Sequence, residues 1–339
     1  MILLDFTYIH NSGGRNILEK FIGEIVKKKI VKDFIFLFDK RYNYNSLNLI
    51  SSEKHCISNN EFDRKIFYLK KRNQIQKVLC FGNIPPPIKI DCQVYIYFHN
   101  FLLLDSNNSL LNIKDKFLLK IKQMYIRILV SKRYHWFVQT KFIKTNLHSK
   151  FGITKNNISL YPIFDEILKK KINNKKNEFL YVCSNAKHKN IQILIDAFMH
   201  LSSISSKKLI LKLTIEKDES YFNKWPNIKH KNLKIIFLGN LNKDKLYKQY
   251  SETKFSIYPS LKESFGLPLV EAAQFSCYIL ASDKNFAREV VDASLYFNPH
   301  SVEDISKKIL YCLNEKNIKL PKIKVRNLSR LMLEKVLEN

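Results

Sequence analysis

Apolar positions along the chain alternate between two patterns, short continuous runs and helical stripes. Ile2 to Phe6 is a short run of the buried-strand kind, and Phe34 to Phe38 is a second. Between them Leu18, Phe21, Ile22, Ile25 and Val26 stand at offsets 0, 3, 4, 7 and 8, one face of an amphipathic helix. These three elements make a β-α-β unit. Further runs at Val78 to Phe81, Val94 to Phe98, Trp136 to Val138 and Ile158 to Tyr161 continue the alternation, with Gln139-Thr140 leading into a short helix. This pattern predicts a parallel sheet with helices on both faces.

A second series starts at Phe179 to Cys183, followed by Ile191, Leu194, Ile195, Phe198 and Met199 at the same helical offsets. Strands are then predicted at Leu209 to Ile215, Leu233 to Leu238, around Phe255 and Ile257, at Tyr278 to Ala281 and at Leu295 to Phe297, with helices at Arg288-Glu289 and from Val302. A closing helix is expected to bury Leu328, Leu331, Met332 and Val336, although Lys335 interrupts that face. At 339 residues the chain exceeds what one core usually supports, so two domains are expected, dividing near Pro162 to Lys176 where Lys and Asn dominate.

Lys116 to Arg133 reads as a helix with Phe117, Ile121, Met124, Tyr125 and Ile128 on one face and Lys116, Lys120, Arg127, Lys132 and Arg133 on the rest. Packing of that face on the core with the lysines in solvent is the favoured reading. The alternative is a basic amphipathic helix lying on a membrane surface.

Composition narrows the function classes. Hydrophobic residues make up 45% of the chain, enough for two cores. No apolar run approaches the roughly 18 to 20 residues of a membrane-spanning helix. The first residues, Met-Ile-Leu-Leu-Asp-Phe, show no basic leader or cleavage site, and six dispersed cysteines without a Cys-x-x-Cys pair suit a reducing compartment. A cytoplasmic protein, soluble or peripheral on the inner membrane, is expected. The net charge of +28 points to an anionic partner, yet 49 of the 58 basic residues are Lys and the chain is rich in Asn and Ile, as an A/T-rich coding sequence would produce. Both origins of the charge remain open. No zinc finger, helix-turn-helix or aromatic-basic motif supports specific nucleic-acid binding.

The chain has only seven glycines, where average usage would give roughly 24. Gly13-Gly14 and Gly266 are expected in loops that need positive φ or a close ligand approach. The loop Ile9 to Arg15 lacks the full G-x-G-x-x-G pattern, which argues against nicotinamide binding. Pro259 to Ala273 reads as strand end, loop and helix start, with Pro268 in the first helical turn. The helix N-terminus offers N–H groups to an anion such as a diphosphate. Glu263 before the helix and Glu271 about one turn inside it would accept hydroxyls of a sugar and a ribose. Ser184-Asn185-Ala186-Lys187-His188-Lys189-Asn190, polar and basic at another helix start, is a second anion site or an ordinary capped helix. His99-Asn100 ends a strand at the sheet edge where open α/β folds bind ligands.

Taken together, Pro-Ser-Leu-Lys-Glu-Ser-Phe-Gly-Leu-Pro-Leu-Val-Glu-Ala and residues 281 to 299 resemble the signature of retaining glycosyltransferases of family 4, the group 1 family. Phe179 to Phe198, Val138-Gln139-Thr140, His99-Asn100 and the Gly13-Gly14 loop add to the resemblance. It implies an α/β chain of GT-B fold, two Rossmann-like doubly wound parallel-sheet domains facing a central cleft. The domains would be residues 1–165 on the acceptor side and 166–320 for the nucleotide sugar, with 321–339 packing back on the first. Glu263 would hold donor-sugar hydroxyls, the amides of Ser264, Phe265, Gly266 and Leu267 the diphosphate, and Glu271 the ribose. Lys189 matches the phosphate-binding lysine, His99 an acceptor-facing position, and Gly13 and Gly14 the loop beside the phosphates. Where the family has an arginine, this chain has Cys183-Ser184-Asn185, leaving Lys189 with help from His188 or Lys187.

The expected activity is retaining, metal-independent transfer from a UDP- or GDP-sugar to a saccharide acceptor, expected to be lipid-linked, in the synthesis of a bacterial surface polysaccharide such as O-antigen, capsule or lipopolysaccharide. No cofactor beyond the nucleotide-sugar co-substrate and no metal site are expected. Rival readings are a soluble-acceptor enzyme of the sucrose- or glycogen-synthase kind, a basic nucleic-acid-binding protein, and a fold relative without catalysis.

Overall fold

A computed structural model describes residues 1–9, 12–45, 47, 49–50, 52–105, 113–167, 174–222 and 232–338. The chain divides into two units, Met1–Asp165 with Arg326–Asn339, and Glu166–Val325.

The first unit contains β1 (Ile2–Phe6), α1 (Ser12–Lys27), β2 (Phe34–Asp39), β3 (Glu53–Ile57), α2 (Glu61–Lys71), β4 (Lys77–Cys80), β5 (Gln93–Phe98), α3 (Ile113–Leu129), β6 (His135–Val138), α4 (Lys141–Phe151) and β7 (Ile158–Leu160). The second contains β8 (Lys176–Tyr181), α5 (Ile191–Ile204), β9 (Leu209–Leu213), β10 (Leu233–Phe237), α6 (Lys243–Glu252), β11 (Thr253–Tyr258), α7 (Leu267–Gln274), β12 (Tyr278–Ser282), α8 (Asn285–Val290), β13 (Val291–Asp292), β14 (Leu295–Phe297), α9 (Val302–Asn314) and β15 (Lys322–Ile323). The chain then returns to the first unit with α10 (Ser329–Leu337).

Each unit is built on one parallel sheet, ordered β3-β2-β1-β4-β5-β6-β7 in the first and β10-β9-β8-β11-β12-β14 in the second. A short antiparallel pair, β13 with β15, stands apart. In both sheets the earliest strand is central and the order reverses beside it, between β1 and β4 and between β8 and β11. Loops leaving the carboxyl ends of two such strands diverge, and the crevice between them is where open α/β sheets take ligands. The inner strands are apolar on both sides because helices cover both faces. Along β1, Leu3 joins one core cluster while Leu4 and Phe6 join the other, as the two-residue strand period requires.

Several expectations change. Gly13 and Gly14 lie in the first turn of α1, so their backbone is helical. His10 and Asn11 of the expected loop lie outside the described residues. Edge strand β3 and helix α2 were not predicted. In β3 half-buried and exposed positions alternate around Glu53, Lys54 and His55, leaving little apolar signal.

The closing helix is also rotated from its expected face. Leu328 precedes the helix and donates its N–H to Pro162 O at 2.8 Å. Ser329, Met332, Leu333 and Val336 therefore form the inward 0, 3, 4, 7 stripe, while Leu331 is 53% exposed. The stripe packs with Ile17, Leu18 and Phe21 of α1, and Lys28 pairs with Glu334 at 3.2 Å.

In α3 the core side consists of Leu119, Gln123 and Ile126, with Gln123 Nε2 donating to Leu103 O at 3.2 Å. Phe117, Ile121, Met124 and Ile128, expected in the core, face outward, and the Tyr125 hydroxyl donates to Glu61 at 2.8 Å. The buried side is filled by the other helical face, so the favoured core-facing assignment fails.

Leu333→Ala is expected to lower unfolding stability by about 2–5 kcal/mol in urea titrations, while Leu331→Ala changes it by less than about 0.5 kcal/mol.

Candidate functional site

In the second unit, the loops following β8 and β11 meet at the reversal of strand order. Leu261 N–H donates to His188 O at 2.8 Å, and Ser260 Oγ donates to the same carbonyl at 3.3 Å. Asn190, buried and left-handed at φ 59°, donates through Nδ2 to Pro299 O at 2.6 Å and to Pro259 O at 3.3 Å. One side chain thus ties three loops together. Asparagine tolerates this backbone better than most residues, and it also starts α5.

Lys189 is positioned from both ends. Its carbonyl accepts the Tyr181 hydroxyl at 2.7 Å, and its ammonium lies 5.7 Å from the Tyr258 ring centroid. The ammonium donates to Glu263 Oε1 at 2.6 Å, and Ser260 Oγ donates to the same oxygen at 2.5 Å. Only 14% of the Lys189 side chain and 13% of that of Glu263 remain exposed. Burial alone would raise the Glu263 pKa, but the Lys189 charge, His188 and the two hydrogen bonds outweigh it and hold the carboxylate below its ordinary value. Burial has the opposite effect on His188 and lowers its pKa despite the pull of Glu263.

Helix α7 begins immediately after this pair. Gly266 adopts φ 85°, a left-handed conformation in which any Cβ is strained, and one built there would stand 3.2 Å from Leu269 Cδ1. Pro268 occupies the first turn. Phe265 is buried, whereas Ser264 and Leu267 are half-buried. The first-turn N–H groups and the positive end of the helix dipole are concentrated in this stretch. Glu271, one turn further, accepts the hydroxyl of buried Tyr250 at 3.0 Å.

Ser184 and Asn185 are exposed beyond the end of β8. The adjacent Cys183 is pinned to Thr214, donating N–H to Oγ1 at 3.0 Å and accepting from it through its carbonyl at 3.1 Å, and burial pushes its thiol up to about 12. No cation stands at these three positions. Among the described residues, no group of three or more His, Cys, Asp or Glu side chains is placed to hold a metal ion.

In the first unit, Gly82 and Thr7 approach closely at the reversal between β1 and β4, since a Cβ on Gly82 would lie 2.4 Å from Thr7 O. His99 follows β5. Its N–H donates to Asn83 Oδ1 at 2.6 Å, and its Nε2 lies 3.1 Å from Phe81 O. Burial lowers the imidazole pKa to about 4. Asn83 Nδ2 also approaches the same ring nitrogen at 3.4 Å, so Phe81 and Asn83 together hold the imidazole in place.

Residue patterning alone missed the supporting groups. Ser260, Asn190 and Tyr250 are ordinary in sequence and gain their roles only where loops converge. A network beside β1, buried at Asp5 and partly exposed at Glu61, was likewise missed: Asp5 accepts from Arg64 Nε and the Tyr68 hydroxyl, both at 2.8 Å, and Glu61 accepts from Tyr8 at 2.6 Å and Tyr125 at 2.8 Å. Its members span 120 residues with no common motif. Gln139 and Thr140 also have structural partners, Tyr97 for the amide and the N-terminus of α4 for the hydroxyl.

Comparison with known proteins bears on both units. Residues 163–327 match the family model of the group 1 glycosyl transferases. The solved structure of WaaG, a glycosyltransferase involved in lipopolysaccharide biosynthesis, superposes with a TM-score of 0.65 at 12% identity and covers 100% of both chains. The fold is GT-B. The serotype-specific mannosyltransferase WbdA of Escherichia coli is 32% identical over 124 residues, 35% of this chain and 15% of that protein. The O-antigen chain mannosyltransferase RfbU of Salmonella typhimurium is 25% identical over 189 residues, 53% of this chain and 52% of that protein. The chain thus spans a small part of the first relative and about half of the second. No helix among the described residues is long and apolar enough to cross a membrane.

The His99 ring is expected to stay neutral at pH 6 in an NMR titration. Because its folded pKa is lowered from 6.5 to about 4, the unfolded state binds more protons between these values. Stability should therefore be highest above pH 6.5 and fall as pH drops towards 4, with His99→Gln removing that part of the slope.

Proposed function

We propose that this chain is a retaining glycosyltransferase that moves a sugar from a nucleotide sugar to a saccharide acceptor in the synthesis of bacterial surface polysaccharide. The observation that carries this reading is the Lys189–Glu263 pair beside the N-terminus of α7 at the strand-order reversal. The match of residues 163–327 to group 1 glycosyl transferases supports it. The relatives named for O-antigen mannosyl transfer make mannose the first donor sugar to test and a lipid-linked saccharide the first acceptor.

The chemistry follows from charge development. As the C1–O bond to the diphosphate breaks, negative charge gathers on the leaving phosphate, and Lys189 with the first-turn N–H groups of α7 would stabilise it. Their fixed positions avoid reorganisation during the step. Glu263, losing part of its claim on Lys189 to the diphosphate, would accept hydroxyls of the donor sugar, and Glu271 those of the ribose. The acceptor oxygen would attack C1 from the face the diphosphate leaves, passing its proton to the departing phosphate oxygen. This route needs neither a protein nucleophile nor a metal ion. Ser264, Phe265 and Leu267 would contribute through the backbone, and Ser184 and Asn185 through neutral hydrogen bonds where the family has a cation.

Neutral His99 is assigned to acceptor binding in the first unit, as a hydrogen-bonding group. Gly13 and Gly14, in the first turn of α1, offer a second set of backbone N–H groups to an anion. The reaction is assigned to the cytoplasm, where nucleotide sugars are made.

Sugar transfer from GDP-mannose and UDP-sugars is the test. Glu263→Ala and Lys189→Ala are each expected to reduce turnover by about 100-fold or more with the fold intact by circular dichroism, and EDTA is expected to leave wild-type turnover unchanged. Near-wild-type turnover in both variants would remove the site assignment.

A further inference from the structure

The outward stripe of α3 has no role in the reaction just described. Ile113 is 87% exposed, Phe117 64%, Ile121 43%, Met124 58% and Ile128 72%. At about 100° per residue these five fall within roughly 80° of one another, and the core-facing Leu119, Gln123 and Ile126 lie on the opposite side. Single exposed apolar side chains are common on protein surfaces, but a continuous five-residue stripe is not. On the neighbouring α2, Phe62 is 72% exposed, and the preceding Glu61 accepts the Tyr125 hydroxyl of α3 at 2.8 Å.

Basic residues flank the stripe. Lys114, Lys116, Lys120 and Arg127 border it and are exposed, with Lys122 further round the helix, against one acidic residue of the helix, Asp115. An apolar stripe bordered by cations matches an anionic bilayer surface, with apolar side chains at the acyl boundary and ammonium groups among the phosphates. A second copy of this chain would bring the same basic borders together and repel. A nucleic acid would leave the apolar stripe in water. The helix is too charged to span a bilayer, so it would lie in the interface plane.

We propose that α3 is a docking surface for anionic phospholipid. Docking depends on both components: the cations concentrate the protein at the surface, and the apolar side chains insert and hold it there. The surface makes no use of the sugar-transfer site, so the two assignments stand or fall separately.

Co-sedimentation of the full chain with vesicles tests this, using phosphatidylglycerol mixed with phosphatidylethanolamine against phosphatidylcholine alone. Wild type should bind the first and remain free of the second. Phe117→Ser with Met124→Ser, and separately Lys116→Glu with Lys120→Glu, should each lower the partition constant by about tenfold or more. Lys245→Glu with Lys248→Glu on α6, an equal charge change elsewhere, should lower it by less than about twofold. Melting temperatures should be unchanged, since all the replaced side chains are exposed. The proposal is overturned if wild type ignores the anionic vesicles, if the Phe117/Met124 variant binds like wild type, or if the α6 control loses as much binding as the α3 charge variant. It is equally overturned if sedimentation velocity shows a dimer that the apolar variant dissociates while vesicles bind nothing.

Discussion

The ion pair between Lys189 and Glu263 joins the two loops that define the candidate site, and much around it serves to make that contact possible. A charged pair with little exposure loses hydration that attraction alone does not always restore. Here Ser260 adds a hydrogen bond to the shared carboxylate oxygen, and the Tyr258 ring lies beside the ammonium. Tyr181 and Asn190 fix the backbone beneath it. The cost of such an arrangement makes sense if a diphosphate later supplies a stronger partner for Lys189 than Glu263 does. A resting pair would then keep both groups oriented until the ligand arrives.

The strand-order reversal explains why this contact forms where it does. Because β8 lies between β9 and β11, the loops after β8 and β11 are adjacent in space although about 70 residues apart in sequence. The N-terminus of α7 belongs to the second of these loops, so an N–H-rich helix start and a cation are delivered to one region by topology alone. The first unit repeats the strand order, but its reversal holds a different chemistry: the Asp5–Arg64 pair is buried, and His99 is held neutral by burial.

The sheets were legible from sequence because strands covered on both faces carry uninterrupted apolar runs, as Phe34 to Phe38 and Val94 to Phe98 do. Glu263, Gly266 and Glu271 stood out through the loop and helix-start pattern and Lys189 through the family resemblance; the fold brings Lys189 and Glu263 into contact and gives Gly266 its left-handed backbone. Edge strand β3 was not, since one solvated edge mixes Glu, Lys and His into the run. Periodicity identified α3 and α10 as helices but misjudged their faces. A stripe states that apolar residues share a side without stating what lies opposite. In α3, Gln123 occupies a core position by bonding to a carbonyl, and the more apolar side was left outward. In α10, a one-residue shift in the helix start exchanged Leu331 for Leu333. The convergence of Ser260, Asn190 and Tyr250 needed the fold itself.

The central claim is that Lys189 is placed to hold the diphosphate of a nucleotide sugar. Calorimetric titration of GDP and UDP into wild type and Lys189→Met measures this without an acceptor or turnover. The account requires binding of at least one nucleoside diphosphate to wild type, weakened by about tenfold or more in the variant as a charged hydrogen bond is lost. Equal affinity in the two proteins, or no binding of either nucleotide to wild type, would contradict it.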